Sequence, residues 1–444
     1  MTYTTFHMIS LGCNKNLVDA EIMLGKLLQA GYKLEEDPGQ AEIIVINTCG
    51  FIESAKQEAI DTILENAAYK TNGACRLLIV TGCLAQRYGW QVLESFPEVD
   101  GLCGTGDFYE IINLIERSAK GERAAFLDNR DRKLLECPER VTSTPYYTAY
   151  LKIAEGCSNC CTYCAIPEIR GSFRSRRPED IVKEAERLAE KGVSELIVVA
   201  QDITRYGMDL QGRPLLSDLL KELVQIDGIA WIRLHYAYPE LLDDQLIAVM
   251  AEQPKILHYL DLPLQHCSDG VLKRMGRRSS RMQMESLIRK LRSAMPDIAL
   301  RTSLITGFPG ETEEEFAELL DFVKQTRFDK LGVFAYSKEE NTPAAKMKGQ
   351  IPKRIREKRQ KEIMLTQQSI SQKIHEKLVG QIFTVLTEAF DTNSNLHIAR
   401  SYRDSIDIDG KVFFESEGRF ESGQFARVLI THCDEYNLYG RAVE

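Results

Sequence analysis

The sequence predicts an α/β protein of three units in series: a doubly wound parallel sheet, a partial (βα)6 barrel and a small terminal β-barrel. Three observations predict it. Strand-like runs alternate with amphipathic helical patterns over residues 4–120, the same alternation returns over 148–340, and beyond Val379 the texture changes to short alternating strands. The length agrees, since 444 residues make about three domains at roughly 150 each. The expected units span 4–120, 143–373 and 376–444.

In the first unit, strands are expected at His7–Cys13, Glu42–Cys49, Arg76–Cys83 and Asp100–Gly104, with helices near Asn16–Ala30, Glu53–Ala68, Ala85–Phe96 and Asp107–Ala119. Runs such as Ile43-Ile44-Val45-Ile46 suit parallel strands covered on both faces. Residues 121–147 lose periodicity and carry Asn129, Asp131, Pro138 and Pro145, the profile of a linker. In the second unit, strands are expected at Ala149–Glu155, Glu195–Gln201, Ala230–Tyr236, His258–Leu264, Ile298–Phe308 and Lys330–Tyr336. Helical patterns such as Pro178–Lys191 and Glu311–Thr326 separate them, and Pro178 and Pro239 suit helix starts. Six βα units are too few to close an eight-stranded barrel. Residues 352–378, dense in Lys, Arg, Glu and Gln, read as a connecting helix. Five short strands then follow at Ile382–Glu388, His397–Tyr402, Phe413–Glu415, Phe425–His432 and Asn437–Ala442, about the size of an oligonucleotide- or protein-binding barrel.

With 44% apolar and 27% charged residues the chain has an ordinary globular composition. No apolar run reaches the roughly 18 residues of a membrane span, and the N-terminus lacks a basic-then-apolar export signal. The net charge of −9 excludes a globally basic nucleic-acid binder, though not a local basic patch. The 12 cysteines are therefore expected as reduced thiols in a cytoplasm, where metal or cluster binding is their first reading.

Four of these cysteines fall within Cys157-Ser158-Asn159-Cys160-Cys161-Thr162-Tyr163-Cys164, directly after the first strand of the second unit. The C-terminal ends of such strands form the active face. Cys157, Cys161 and Cys164 give the best register; Cys157, Cys160 and Cys164 also supply three thiols. Three thiolates can hold three irons of a 4Fe–4S cluster and leave the fourth open to a chelating substrate or cofactor. Zinc is the competing reading, but a structural zinc site usually wants a second pair of ligands, and none follows.

A second set is distributed. Cys13, Cys49 and Cys83 each follow an apolar strand by about two small or polar residues, so a parallel sheet brings all three to one edge, where open α/β sheets bind ligands. A lone buried Cys is usually a small hydrophobe; three in one context point to a second cluster. Cys75 precedes its strand and belongs to the opposite edge. Cys103 is the one rival ligand, and Cys137, Cys267 and Cys433 read as structural. Gln201 and Asp202 end the second barrel strand, where cofactor contacts occur. His235 and His266 also end strands, but a lone His is more often structural. The runs Arg170, Arg174, Arg176, Arg177 and Lys273, Arg274, Arg277, Arg278, Arg281 either face an acidic partner or are solvated.

With aromatic Tyr163 before its last thiol, the Cys157/Cys161/Cys164 set resembles the signature of radical S-adenosylmethionine enzymes. The blocks Gly12-Cys13-Asn14-Lys15-Asn16, Asn47-Thr48-Cys49-Gly50-Phe51-Ile52 and Thr81-Gly82-Cys83-Leu84-Ala85-Gln86, together with the terminal module, resemble the methylthiotransferases over nearly the whole chain. Within them, Ser10 through Cys13, Leu151 through Cys157, Gln201-Asp202, Leu260 through His266 and Arg301 through Glu311 are most similar to the RimO type, which modifies an aspartate of a ribosomal protein. The resemblance implies a radical-SAM barrel and a TRAM-like terminal domain. It implies that Cys157, Cys161 and Cys164 ligate a 4Fe–4S cluster that binds S-adenosylmethionine, whose reductive cleavage yields a 5′-deoxyadenosyl radical. Cys13, Cys49 and Cys83 would hold an auxiliary 4Fe–4S cluster delivering a methylated sulfur. Tyr163, Gln201 and Asp202 are the candidate cofactor contacts, and the Gly307–Gly310 turn a candidate wall of that pocket. The implied substrate is the β-carbon of an aspartate in the twelfth small-subunit ribosomal protein, on or near the ribosome. The electron donor would be a flavodoxin or ferredoxin.

Two other readings compete. A methylthiotransferase of transfer RNA, modifying N6-isopentenyl- or threonylcarbamoyl-adenosine, would share the chemistry. From Val379 onward, however, 11 acidic residues stand against 6 basic ones. An RNA-gripping module is expected to be basic, whereas an acidic one suits a basic protein. Stable nucleic-acid binding and membrane association are accordingly not expected. A non-catalytic iron–sulfur protein would normally complete each cluster with a fourth thiolate; here each set stops at three.

Overall fold

The computed structural model describes residues 3–132, 134 and 139–443; Cys137 and Pro138 lie outside the described residues. Strands β1 (Thr5–Ser10), β2 (Lys33–Leu34), β3 (Ile43–Thr48), β4 (Leu77–Gly82), β5 (Gly101–Cys103) and β6 (Ala124–Phe126) form one parallel sheet in the order β2-β1-β3-β4-β5-β6. β3 and β4 are buried throughout because helices cover both faces. Ile43 and Val45 pack with helices Asn14–Gln29 and Ile111–Ala119, while Ile44 and Ile46 pack with Glu53–Ala67 and the residues around Leu84 and Val92. Between β1 and β3 the strand order reverses, and the C-terminal strand ends at such a reversal form a ligand crevice.

Several local features depart from the sequence reading. β1 stops at Ser10 rather than Cys13, because Gly12 turns the chain at φ +91°. The helix expected over Ala85–Phe96 is two, Cys83–Tyr88 and Trp90–Ser95, broken at Gly89. β2 is two exposed residues without apolar alternation. β6 lies within the expected linker and extends the sheet beyond β5. Farther along that segment, buried Arg140 pairs with Glu21 at 2.6 Å and Glu184 at 2.9 Å, so the connection is pinned by ion pairs that periodicity cannot reveal.

The second unit contains β7 (Thr148–Lys152), β8 (Ala154–Glu155), β9 (Arg174–Ser175), β10 (Glu195–Val199), β11 (Trp231–Leu234), β12 (Ile256–Asp261), β13 (Ala299–Thr306) and β14 (Lys330–Ala335). Six of these form a parallel sheet, β14-β13-β12-β11-β10-β7, whose end strands do not meet: a partial barrel. The long first strand expected here breaks at Ile153, and its tail β8 pairs antiparallel with β9, clasping the four-cysteine loop between them. Leu151, Leu196, Val198 and Leu234 face the helices, so the alternate residues Tyr150, Ile197 and Val199 line the concave face.

Helix Lys353–Glu376 follows, inserting Ile363 and Ile370 into the barrel's helical layer. Strands β15 (Ile382–Asp391), β16 (Leu396–Ser401), β17 (Val412–Glu415), β18 (Phe425–Cys433) and β19 (Leu438–Val443) close a barrel in the order β15-β16-β17-β19-β18. It sits under the N-terminal ends of the central strands. There Glu195, fully buried at the start of β10, accepts hydrogen bonds from Arg400 of β16 at 2.6 Å and Arg233 of β11 at 3.0 Å. The β16–β17 connection rises into the concave face: Ser405 Oγ lies 2.9 Å from His235 Nε2, the Tyr259 hydroxyl donates to Asp409 at 2.8 Å, and Ile406 packs in the cluster holding Tyr150, Ile197 and Val199. The terminal barrel thus supplies the floor of the central one. Among the described residues, no helix is long and apolar enough to cross a membrane.

Candidate functional site

The turns after β1, β3 and β4 bring Cys13, Cys49 and Cys83 to the crevice at the strand reversal. Side chains of the flanking blocks lock these turns together. Asn16 donates to Leu11 O at 2.7 Å, Asn47 donates to Asn16 O at 2.7 Å, and Thr48 donates to Thr81 O at 2.5 Å. Two glycines permit the close approach. A Cβ on Gly12 would stand 2.8 Å from Cys49 Cβ, and one on Gly82 would stand 2.5 Å from Asn47 Oδ1. Both have φ near +90° (+91° and +89°), where side chains are strained.

The three thiols share one electrostatic neighbourhood. Burial pushes the Cys83 thiol up to about 12, even with the Arg170 guanidinium beside it and with Cys13 and Cys49 near enough to add repulsion. Burial also raises Cys49. At Cys13 burial is outweighed by Lys15 and Arg170, which hold the thiol below its ordinary value. Arg170 is itself fully buried; burial disfavours its charge, but Cys83, Glu155 and Asp19 keep it firmly protonated.

The loop between β8 and helix Ile166–Arg170 holds the second set. Cys157 and Cys161 are buried and Cys164 is half-buried. Cys157 Sγ accepts from the Asn159 amide at 3.4 Å, Cys164 Sγ from the Ile166 amide at 3.5 Å, and Cys161 Sγ lies 3.8 Å from the Tyr238 hydroxyl. Burial pushes the Cys157 thiol up to about 11 and raises Cys164 further. Cys160 is exposed, its thiol 3.9 Å from Ser158 O. The two sets share a wall: Cys83 packs against Ala165 and Ile169, immediately beyond Cys164.

Among the described residues, no three His, Cys, Asp or Glu side chains converge tightly enough for a single ion. Thiolates of a four-iron cluster each bind a different iron and stand apart, whereas zinc draws its ligands onto one point. The donor sets, all sulfur and three at a time, fit the cluster.

The remaining candidates divide. Tyr163 packs edge-on against Phe308 at 6.4 Å. Gln201 donates to Glu155 at 2.5 Å, and its buried Oε1 has no hydrogen-bond partner. Asp202 is committed to the loop, accepting from Asn159 at 2.9 Å and from Thr204 at 2.6 Å. His235 is buried against the β16–β17 connection and held neutral, by burial first and then by Arg233, Arg301 and Lys15. His266 Nδ1 accepts from the Ser268 amide at 3.0 Å, and its buried Nε2 lies 3.6 Å from Glu311. In the Gly307–Gly310 turn, the Gly307 and Phe308 amides donate to Glu311. Cys75 lies at the opposite edge, Cys103 in the apolar cluster under helix Asn14–Gln29, and Cys267 in the barrel's helical core; Cys433 ends β18.

In the first basic run, buried Arg170 meets Asp19 and Glu155 and buried Arg176 meets Glu184, whereas Arg174 meets exposed Asp131 and half-exposed Arg177 meets Asp180. Sequence reasoning missed Asp19 and Glu155 as partners of Arg170, Lys152 as the second cation bound to both, and Tyr238 as a neighbour of Cys161. A signal did exist for the first three, which place charge within otherwise apolar strand and helix patterns.

Comparison with known proteins adds to this geometry. A family model described as the radical SAM superfamily matches residues 151–323, one described as uncharacterized protein family UPF0004 matches 5–104, and a TRAM domain model matches 379–443. A protein of Lachnoclostridium phytofermentans named ribosomal protein uS12 methylthiotransferase RimO is 51% identical over 434 residues, covering 98% of this chain and 99% of the relative. A protein of the same name from Geobacter sulfurreducens is 50% identical, covering 98% of each chain. Among solved structures, the radical S-adenosylmethionine methyltransferase TsrM of Kitasatospora setae, with cobalamin and a [4Fe-4S] cluster bound, superposes with a TM-score of 0.58 at 13% identity, covering 86% of this chain and 77% of that one. The cobalamin-dependent radical enzyme OxsB gives 0.51 at 15% identity, covering 83% of this chain and 58% of that one. At such identities the likeness is one of fold.

Proposed function

This chain belongs to the RimO family of ribosomal protein uS12 methylthiotransferases, and on that premise we propose that it methylthiolates the β-carbon of an aspartate in uS12. It is a sulfur-transferring radical S-adenosylmethionine transferase whose cofactors are two 4Fe–4S clusters and S-adenosylmethionine. We assign one cluster to Cys157, Cys161 and Cys164 and the other to Cys13, Cys49 and Cys83. When bound, these groups supply a carbon radical able to take hydrogen from an unactivated C–H and a sulfur to replace it, chemistry that no acid or base of the chain could perform on a carbon without acidity.

The observation that carries the assignment is the contact of Cys83 with Ala165 and Ile169, which sets the two thiol groups on either side of one helical turn. The chain's own residues do the rest. Asp202 orients the second loop through Asn159, and the unpartnered Oε1 of Gln201 is left for a ligand amine. Tyr163, beside the thiols and against Phe308, offers a ring to the adenine. The β16–β17 connection closes the floor of the barrel and excludes water from below.

An acidic terminal barrel favours a basic protein over transfer RNA. Two of its six basic residues, Arg400 and Arg403, are buried in ion pairs and unavailable to phosphate. The reaction would proceed in the cytoplasm, on or near the ribosome, with an electron from a flavodoxin or ferredoxin. The test is anaerobic reconstitution followed by incubation with S-adenosylmethionine, reductant and a uS12 peptide containing the aspartate. The peptide should gain a methylthio group in place of one hydrogen. If transfer RNA gains the group and the peptide does not, the substrate is wrong. If no 5′-deoxyadenosine forms, the radical assignment is wrong.

A further inference from the structure

Tyr238 and Arg277 stand beside the Cys157–Cys164 loop and have no part in the function assigned above. The Tyr238 hydroxyl lies 3.8 Å from Cys161 Sγ. The Arg277 guanidinium stacks over the Tyr238 ring, 4.2 Å from its centre. Arg277 is buried, yet only one nitrogen is satisfied: Nη2 donates to Pro263 O at 3.0 Å, while Nε and Nη1 have no hydrogen-bond partner. Its nearest carboxylate, Glu240, is 4.0 Å away. Burying a cation with two donors unmatched is costly, so a compensating negative charge is expected close by.

We propose that Tyr238 and Arg277 are positioning residues for the radical chemistry: Tyr238 hydrogen-bonds the Cys161 thiolate, Arg277 presents a buried positive charge across the Tyr238 ring, and together they raise the reduction potential of the cluster held by Cys157, Cys161 and Cys164. The inference rests on that ligand assignment. The step is the arrival of one electron from an external low-potential donor. The cluster gains one negative charge, no bond forms or breaks, and the donor is oxidised by one electron. A hydrogen bond to a ligating sulfur and a nearby buried cation both stabilise the more negative state.

The test is a mediated redox titration of the reconstituted full-length protein, following by electron paramagnetic resonance only the reduced-cluster signal that changes on adding S-adenosylmethionine. Tyr238→Phe keeps the ring and the Arg277 stack but removes the hydroxyl. Its midpoint is expected at more negative potential, so that where half of the wild-type cluster is reduced, less than half of the variant's is. Arg277→Gln is expected to move it further in the same direction, and Arg277→Lys to recover part of the shift. The other cluster's signal stays put in all three. An unchanged or more positive midpoint in Tyr238→Phe overturns the proposal. A wild-type protein with no signal responsive to S-adenosylmethionine overturns the ligand assignment first, and the two failures are distinct.

Discussion

Arg170 Nη1 lies 2.9 Å from Asp19 Oδ2, tying the helix after Cys164 to the helix after Cys13. The same nitrogen reaches Glu155 at 2.8 Å, and Nη2 reaches Asn16 at 3.0 Å. Lys152 joins both carboxylates, meeting Glu155 at 2.9 Å and also bonding Asp19. Two cations and two anions thus balance inside a junction that water does not reach. Arg170→Met leaves two buried carboxylates sharing one lysine, and breaking such a set costs about 3–5 kcal/mol. The expected result is a lower melting temperature together with faster protease cleavage in the 121–147 connection. Cleavage at the wild-type rate would mean that the junction is held by other contacts.

At the opposite end of the barrel, Glu195 makes docking of the terminal module pH-dependent. Burial alone would push its carboxyl up; Arg400 and Arg233 overcome this and hold it at about 2. The unfolded value is near 4.3, so the folded-state pKa is depressed. Its stabilisation is complete above about pH 4.5 and is lost as pH falls through about 2, amounting to about 3 kcal/mol. Trp231 packs edge-on against Phe425 of the terminal barrel at 5.0 Å, and the other tryptophan, Trp90, is exposed. Acid titration should therefore change tryptophan emission in that window. Glu195→Gln should undock the module at neutral pH and flatten the titration.

Exposure sets Cys160 apart from its neighbours. Cys160→Ser is expected to retain the iron content and the S-adenosylmethionine cleavage rate of the parent. Cys157→Ser, Cys161→Ser or Cys164→Ser should each lose one cluster's iron and abolish cleavage. Loss of iron in Cys160→Ser would shift the register to Cys157, Cys160 and Cys164.

What the sequence made legible follows from where the information sits. Apolar runs such as Ile43–Ile46 announce strands because burial on both faces leaves no other choice. The three thiols after β1, β3 and β4 were legible because strand ends in a parallel sheet share an edge. Arg170 was not: its chemistry depends on Asp19 and Glu155, distant in sequence and paired only after the units dock. Nor was the floor formed by Ser405, Ile406 and Asp409, since a loop carries no period to show what it fills. β2 and β8 are too short for any periodicity to register.

Gly82 gives the sharpest test of the N-terminal crevice. Its backbone, at φ +89° and ψ −153°, lies in a region essentially reserved for glycine. A Cβ there would stand 2.5 Å from Asn47 Oδ1 and 2.6 Å from Thr48 O, on the strand that leads to Cys49. Gly82→Ala must strain its own backbone and also push β4 from β3 at the ends that present Cys49 and Cys83. The first effect alone costs about 1–3 kcal/mol; the second displaces one thiol relative to another. Gly31→Ala serves as the comparison, because Gly31 also has a positive φ, +91°, but nothing within 4 Å of the added carbon. Both variants should lose stability, but only Gly82→Ala should lose one cluster's iron and methylthiolation while still cleaving S-adenosylmethionine. Equal iron in the two variants would show that the crevice tolerates spreading and that its three thiols do not act on one group.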